Sequence, residues 1–466
     1  MRTRYFLILL FVAFVSCTKD EDLKITDVLD KVTVVDDDNK LRNKVELELK
    51  QEASVQVEYW KSGEPEQSLK TPFTEAGITP TVTLILLEPD AVYDFKVTAK
   101  TDNGTIISDT YSFTTRSLPD YLSVFENQLD NSDFHFDGYV AVATNSENSY
   151  IYILNDSGTI VWYQAADDDK DIDNFSFDPV HNTFQCILGQ NPNEAFGGDE
   201  IQIIDLYGNT LFKRHYEELT HPDVHHDFIR LSDNLLMINR VKKEYDLTSL
   251  GGNANETITG DGLTMMDMDG NIKWEWSCFD VYDPRTYPYL MEDGDLVLIP
   301  REDLLHLNSV NPDVDGNYLV SSNRLNQIWK IDATTGELIY RLGEDGNISM
   351  SAEAYSSGTH SVFVNSDNEI MFLDNGKNAG VTRAISVAVD ETSKSADIKK
   401  IIEFPEALYS KNQGSAYMVD PDHILFGSAL KKTIAITDLS GNPVWEYRTD
   451  LVFYRAYYID ELSLDK

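Results

Sequence analysis

Between residues 24 and 116 apolar and polar side chains alternate in short runs. Tyr93, Phe95, Val97 and Ala99 are interleaved with Asp94, Lys96, Thr98 and Lys100, the period of a strand with one buried face. Asn103-Gly104 then reads as a hairpin turn, and the next strand runs toward Phe113-Thr114-Thr115. This pattern predicts a β-sandwich over 24–116, with Ser117-Leu118-Pro119-Asp120 as a linker. From residue 120 the pattern becomes a repeat. Its unit is an Asp, a Gly a few residues on, and an apolar strand with an aromatic toward its end. It occurs at Asp156 to Gly158 before Trp162, Asp205 to Gly208 before Phe212, and Asp267 to Gly270 before Trp274. It returns at Asp332 to Gly336 before Tyr340 and Asp438 to Gly441 before Trp445, with a copy lacking the Gly at Asp390 to Ile402.

Successive glycines lie 50, 62 and 66 residues apart, and the last gap, 105 residues, leaves room for two units. Six units result, each with several short strands joined by turns such as Asp315-Gly316-Asn317. Repeats of that length with about four strands predict the blades of a β-propeller. The fold class expected is therefore all-β: an N-terminal sandwich, then a six-bladed propeller over 120–466. The first unit is short, with strands near 139–143, 149–155 and 159–164. A spare strand at 452–459 would complete it and leave no open edge. The stretch Leu87-Glu88-Pro89-Asp90-Ala91-Val92-Tyr93 resembles the fibronectin type III pattern of Leu, Pro and a corner Tyr.

Lys and Arg total 38 and Asp and Glu 79, a net charge of −41. Such a surface repels phosphates, so nucleic acid is excluded as a main partner. Apolar residues at 42 % suffice for a core, so the acidity does not imply disorder. The one long apolar run, Tyr5 to Val15, is too short to span a bilayer. With Arg2 and Arg4 before it, this run reads as a signal peptide over 1–16. Ser16-Cys17 resembles the lipobox of bacterial lipoproteins, which implies lipidation at Cys17 and a tether over 17–23. The acidic run Asp20-Glu21-Asp22 resembles the surface-export signal of Bacteroidetes lipoproteins. The expected location is the cell envelope, anchored to the outer membrane by lipid alone. Cys186 and Cys278 could pair, which spacing leaves open.

Three segments carry candidate chemistry. They are His225-His226-Asp227-Phe228, the run from His306 through Asn308 to Arg324, and Ser357-Gly358-Thr359-His360. On a strand His306 and Asn308 share a face, and a turn at Asp315-Gly316 brings Arg324 back beside them. By the same alternation only one of His225 and His226 can face a central channel. These donors, with Asp227 as the one acid nearby, suggest a pocket for an oxyanion. A metal at His221, Asp223, His225 and His226, or calcium at Asp313 and Asp315, is the weaker reading of those residues.

The chain resembles the bacterial arylsulfate sulfotransferases, most clearly from His306 to Gly343 with Asn326-Gln327-Ile328-Trp329-Lys330-Ile331-Asp332. The resemblance implies transfer of a sulfuryl group from a phenolic sulfate donor to a phenol acceptor through a sulfated histidine, with no cofactor. It implies His360 as nucleophile and His306, Asn308 and Arg324 as sulfuryl-binding residues. It favours His226 over His225, because His226 directly precedes Asp227 and Phe228. The alternative is a non-catalytic surface lipoprotein whose channel binds an anionic or glycan ligand.

Overall fold

The computed structural model describes residues 24–462 and 464, apart from 123–124, 130–133, 146–148, 167–169, 190–196, 222, 251, 287–289, 293–294 and 298–300. The leader over 1–16 and Cys17 with its tether lie outside the described residues. Among the described residues strands dominate, and no helix is long and apolar enough to cross a membrane.

The first unit holds two antiparallel sheets. One joins Leu29–Asp36, Asn43–Leu49 and Thr81–Leu84. The other joins Leu69–Lys70, Ser54–Lys61, Val92–Thr101 and Gly104–Ile107, with Tyr111–Thr114 also paired to Val92–Thr101. Tyr93, Phe95, Val97 and Ala99 are buried in a cluster with Val45, Leu47, Val55 and Val57. Each Phe, Leu and Val among them contributes roughly 1.5–3 kcal/mol by leaving water. The Tyr93 hydroxyl accepts the Glu88 backbone N–H at 2.9 Å and fixes the corner before its strand. The same apolar cluster continues into Trp162, Phe175 and Phe184, so the first unit is seated on the sheets of the repeat region.

Among the described residues six four-stranded antiparallel sheets come next in chain order, the sixth extended by Phe125–Asn127. Their innermost strands are Phe453–Ile459, Ile172–Asp178, Val224–Leu231, Leu307–Pro312, Thr359–Val364 and Ser415–Asp420. Each touches the next, and Ser415–Asp420 touches Phe453–Ile459, so they form a closed circle. Phe453–Ile459 belongs to the first sheet, paired antiparallel with Tyr139–Thr144. Short polar links join the circle. Ser176 Oγ donates to the Phe228 carbonyl at 2.6 Å, Ser361 to Gly414 at 2.8 Å and Ser415 to Ala456 at 2.6 Å.

The recurring Asp and Gly shape a turn that receives a tryptophan from the preceding sheet. Gly208 adopts φ +83°, open to glycine at no steric cost, and its N–H returns to Asp205. Trp162 Nε1 donates at 2.6 Å to the Leu206 carbonyl inside that turn. Trp445 does the same to Asp156 at 2.7 Å, and Trp276 to Gly336 at 3.0 Å. In the third unit, then, Trp276 docks, while Trp274 packs against Tyr318 with rings 5.4 Å apart. Cys186 and Cys278 are free thiols buried in two separate apolar clusters.

Candidate active site

The inner strands of the second to fifth sheets are irregular at matching places. Their pairing skips between Ile172 and Asn174, Val224 and Phe228, Leu307 and Ser309, and His360 and Phe363. A bulge of this kind breaks the two-residue period and re-aims side chains. His226 (φ +58°) and His306 (φ +52°) take left-handed backbone conformations, which cost about 1–3 kcal/mol each outside glycine. Both face a cavity of about 490 Å³, together with Arg324 and His360. The His226 and His306 rings stand 4.7 Å apart at 71°. Tyr454 closes another side, with its ring 6.0 Å from His226 and 6.5 Å from His360.

Asn308 does not join them, and here the sequence expectation is corrected. His306 precedes its strand in a left-handed conformation and the bulge falls at Asn308, so the two no longer share a face. Asn308 is fully buried. Its amide donates to the Thr359 carbonyl at 2.9 Å, and its oxygen accepts from Ser321 at 2.5 Å. It staples the strand that carries His360. Asn323 lines the cavity instead, 3.3 Å from His360 Nδ1. Of the adjacent histidines, His226 lines the cavity and His225 lies behind it, with Nδ1 atoms 2.7 Å apart.

His360 Nδ1 lies 3.1 Å from the Gly358 carbonyl, which can only accept. A proton on Nδ1 satisfies this carbonyl and leaves the lone pair on Nε2. Burial lowers the His360 pKa to about 3, with the nearby His306 and Lys377 adding to the effect, so the ring is neutral at ordinary pH. Burial likewise holds His225 and His226 well below the usual histidine value. His225 Nε2 lies 3.1 Å from Asp261, whose pKa burial raises to about 6. Arg240 bridges Asp261 at 3.1 Å and Asp303 at 2.6 Å. Asp303 in turn accepts from His306 Nδ1 at 2.5 Å and from Arg324 at 3.2 Å. Burial alone would raise Asp303, but the hydrogen bond from His306 and the charge of Arg240 outweigh it and hold the carboxyl far below its usual range.

Asp227 is therefore not the acid of this site. It is buried against Arg455, 3.2 Å away, and accepts the Val310 N–H at 2.9 Å. Sequence reasoning missed Asp303, three residues before His306, and the cavity residues Asp173, Asn323, Lys377 and Tyr454. The metal reading at the histidine run finds no gathering of its ligands, because His221 pairs with Glu275. Among the described residues, the one group of carboxylates close enough to share an ion is Asp313, Asp315 and Glu391. The Lys330 ammonium stands among them at 2.5–2.6 Å and supplies the positive charge.

A family model described as arylsulfotransferase (ASST) matches residues 114–444. The chain belongs to the arylsulfotransferase family. Its function is accordingly sulfotransferase-like, and the family implies a phenolic sulfate donor and a phenol acceptor. The arylsulfotransferase match takes in His226, His306, Arg324 and His360 and leaves out Tyr454 on the closing strand. No curated protein matches the chain. Among solved structures it is similar to a protein of unknown function from Bacteroides caccae, at 13 % identity and TM-score 0.42, covering 70 % of this chain and all of that one. It is also similar to an inactive virginiamycin B lyase from Staphylococcus aureus, at 14 % identity and TM-score 0.36, covering 70 % and 89 %. Likenesses this distant say nothing of what this member of the family acts on.

Proposed function

We propose that this protein transfers a sulfuryl group from an aryl sulfate to a phenol through a sulfated His360, with ping-pong kinetics and no nucleotide donor. The observation that carries the reading is the meeting of His226, His306, Arg324 and a neutral His360 in one cavity. Sulfuryl transfer, like phosphoryl transfer, leaves charge on three equatorial oxygens and asks mainly for positioning and electrostatic support. His360 Nε2 attacks sulfur. Arg324 and His306 hold the oxygens, both set by Asp303. The scaffold in this reading is a six-bladed propeller over 120–466 behind a fibronectin type III-like sandwich over 24–116, tethered to the outer membrane by a lipid on Cys17.

The test is intact mass of the protein lacking its leader and Cys17 after brief mixing with 4-nitrophenyl sulfate. A gain of one sulfuryl group, with parallel double-reciprocal lines when a phenol acceptor is varied, is the expected result. No gain and no nitrophenol would sink the reading and leave a channel that binds an anionic or glycan ligand. Asp303→Asn keeps the shape but loses the charge that orders His306 and Arg324. Hydrogen bonds to charged groups are worth about 1.5–3 kcal/mol, so kcat/KM for the donor is expected to fall about 10- to 100-fold. Steady-state rates of nitrophenol release measure it, and an unchanged value would remove Asp303 from the account.

A further inference from the structure

We infer that Asp173 is a catalytic residue of this site, carrying the proton to and from the phenolic oxygen; the inference rests on the sulfotransferase reading. Asp173 stands at the bulge of the inner strand of the second sheet, in its skip between Ile172 and Asn174. The third, fourth and fifth sheets place His226, His306 and His360 in or beside the matching irregularity. Asp173 is thus the contribution of the second sheet to the same wall, and it lines the same cavity.

Two features separate it from the other acids. Asp303 and Asp261 are tied to arginines. The Asp173 side chain makes no hydrogen bond or ion pair among the described residues, and burial raises its pKa to about 6. His226, His306, Arg324, His360, Lys377 and Tyr454 share the cavity with it. An ionised carboxylate there would repel a sulfate ester, whereas a protonated one can donate to it.

The steps balance. In the first, His360 Nε2 bonds to sulfur, the bond from sulfur to the aryl oxygen breaks, and the Asp173 proton passes to that oxygen. Sulfated His360, Asp173 carboxylate and free phenol result. In the second, Asp173 takes the proton of the incoming phenol, whose oxygen bonds to sulfur. The nitrogen–sulfur bond then breaks with its electron pair returning to His360.

Proton donation matters when the leaving group is poor and little when it is good. The test compares phenyl sulfate with 4-nitrophenyl sulfate in wild type and Asp173→Asn. The variant is expected to lose about 10²- to 10⁴-fold in kcat/KM for phenyl sulfate and far less for 4-nitrophenyl sulfate, whose leaving group needs little protonation. In wild type, kcat/KM for the phenyl sulfate donor should fall as pH rises through the carboxyl's pKa, because the acid form is needed. That for the acceptor should fall as pH drops through it, and the variant should show neither limb. Asp173→Ala, with phenyl sulfate turnover restored by added formate, is the second variant should the first fail to fold. An equal loss with both esters, or none with either, overturns the inference and leaves the sulfotransferase reading standing. Failure of wild type to consume either ester overturns both.

Discussion

His360→Asn should fold, gain no sulfuryl group, and turn over aryl sulfate on the order of 10⁴-fold more slowly than wild type or worse, as loss of a nucleophile does elsewhere. The asparagine amide can still donate to the Gly358 carbonyl that His360 Nδ1 contacts at 3.1 Å. The start of the strand is therefore kept. What disappears is the Nε2 lone pair, held neutral and ready by burial. Intact mass after incubation with 4-nitrophenyl sulfate, beside rates of nitrophenol release, reads both consequences. A sulfated variant would move the nucleophile to another ring of the same cavity, His226 or His306. The same shift sets the sign of the pH effect. Lowering pH from 7 toward 5 leaves His360 unprotonated, so acid inhibition in that range belongs to another group.

Asp227→Asn should cost about 3–5 kcal/mol of stability, read as a lower urea midpoint, because it strands Arg455 deep in the ring without its counter-charge. Both side chains are at most 2 % exposed and lie 3.2 Å apart. Arg455 also donates to the Asn308 carbonyl and to the Tyr457 hydroxyl. The pair therefore joins the third, fourth and first sheets across their common centre. Replacing both partners, as Asp227→Leu with Arg455→Met, should be milder than the single change, since no isolated charge remains. A single variant as stable as wild type would mean that water already reaches the arginine.

The strands were legible because alternation is a local signal. Tyr93 to Ala99 show it directly, and the Asp and Gly turns repeat often enough to be counted. The site histidines were legible because imidazoles in short polar segments stand out from apolar strands. Asn308 was misplaced because a bulge leaves no trace in composition, yet it reverses which neighbours share a face. The same event hid Asp173, one acid among 79 acidic residues, which a bulge turns into the cavity. Trp276 and Trp274 present the same face of one strand, so only the packed structure separates the docking ring from its neighbour. Tyr454 and Arg455 were readable as parts of a closing strand, but the strand's register alone decides that one meets the cavity and the other the buried carboxylate.

That closing strand has a consequence for the order in which the protein comes into being. The Tyr458 hydroxyl bonds the carbonyl of Asp137, 321 positions earlier in the chain. During synthesis the histidines emerge and their sheets can form well before the residues that complete the wall. Until Phe453–Ile459 leaves the ribosome and finds Tyr139–Thr144, the cavity lacks Tyr454 and the centre lacks Arg455. A partly made chain therefore carries an incomplete cavity, and the arrival of one strand completes the ring and its wall together.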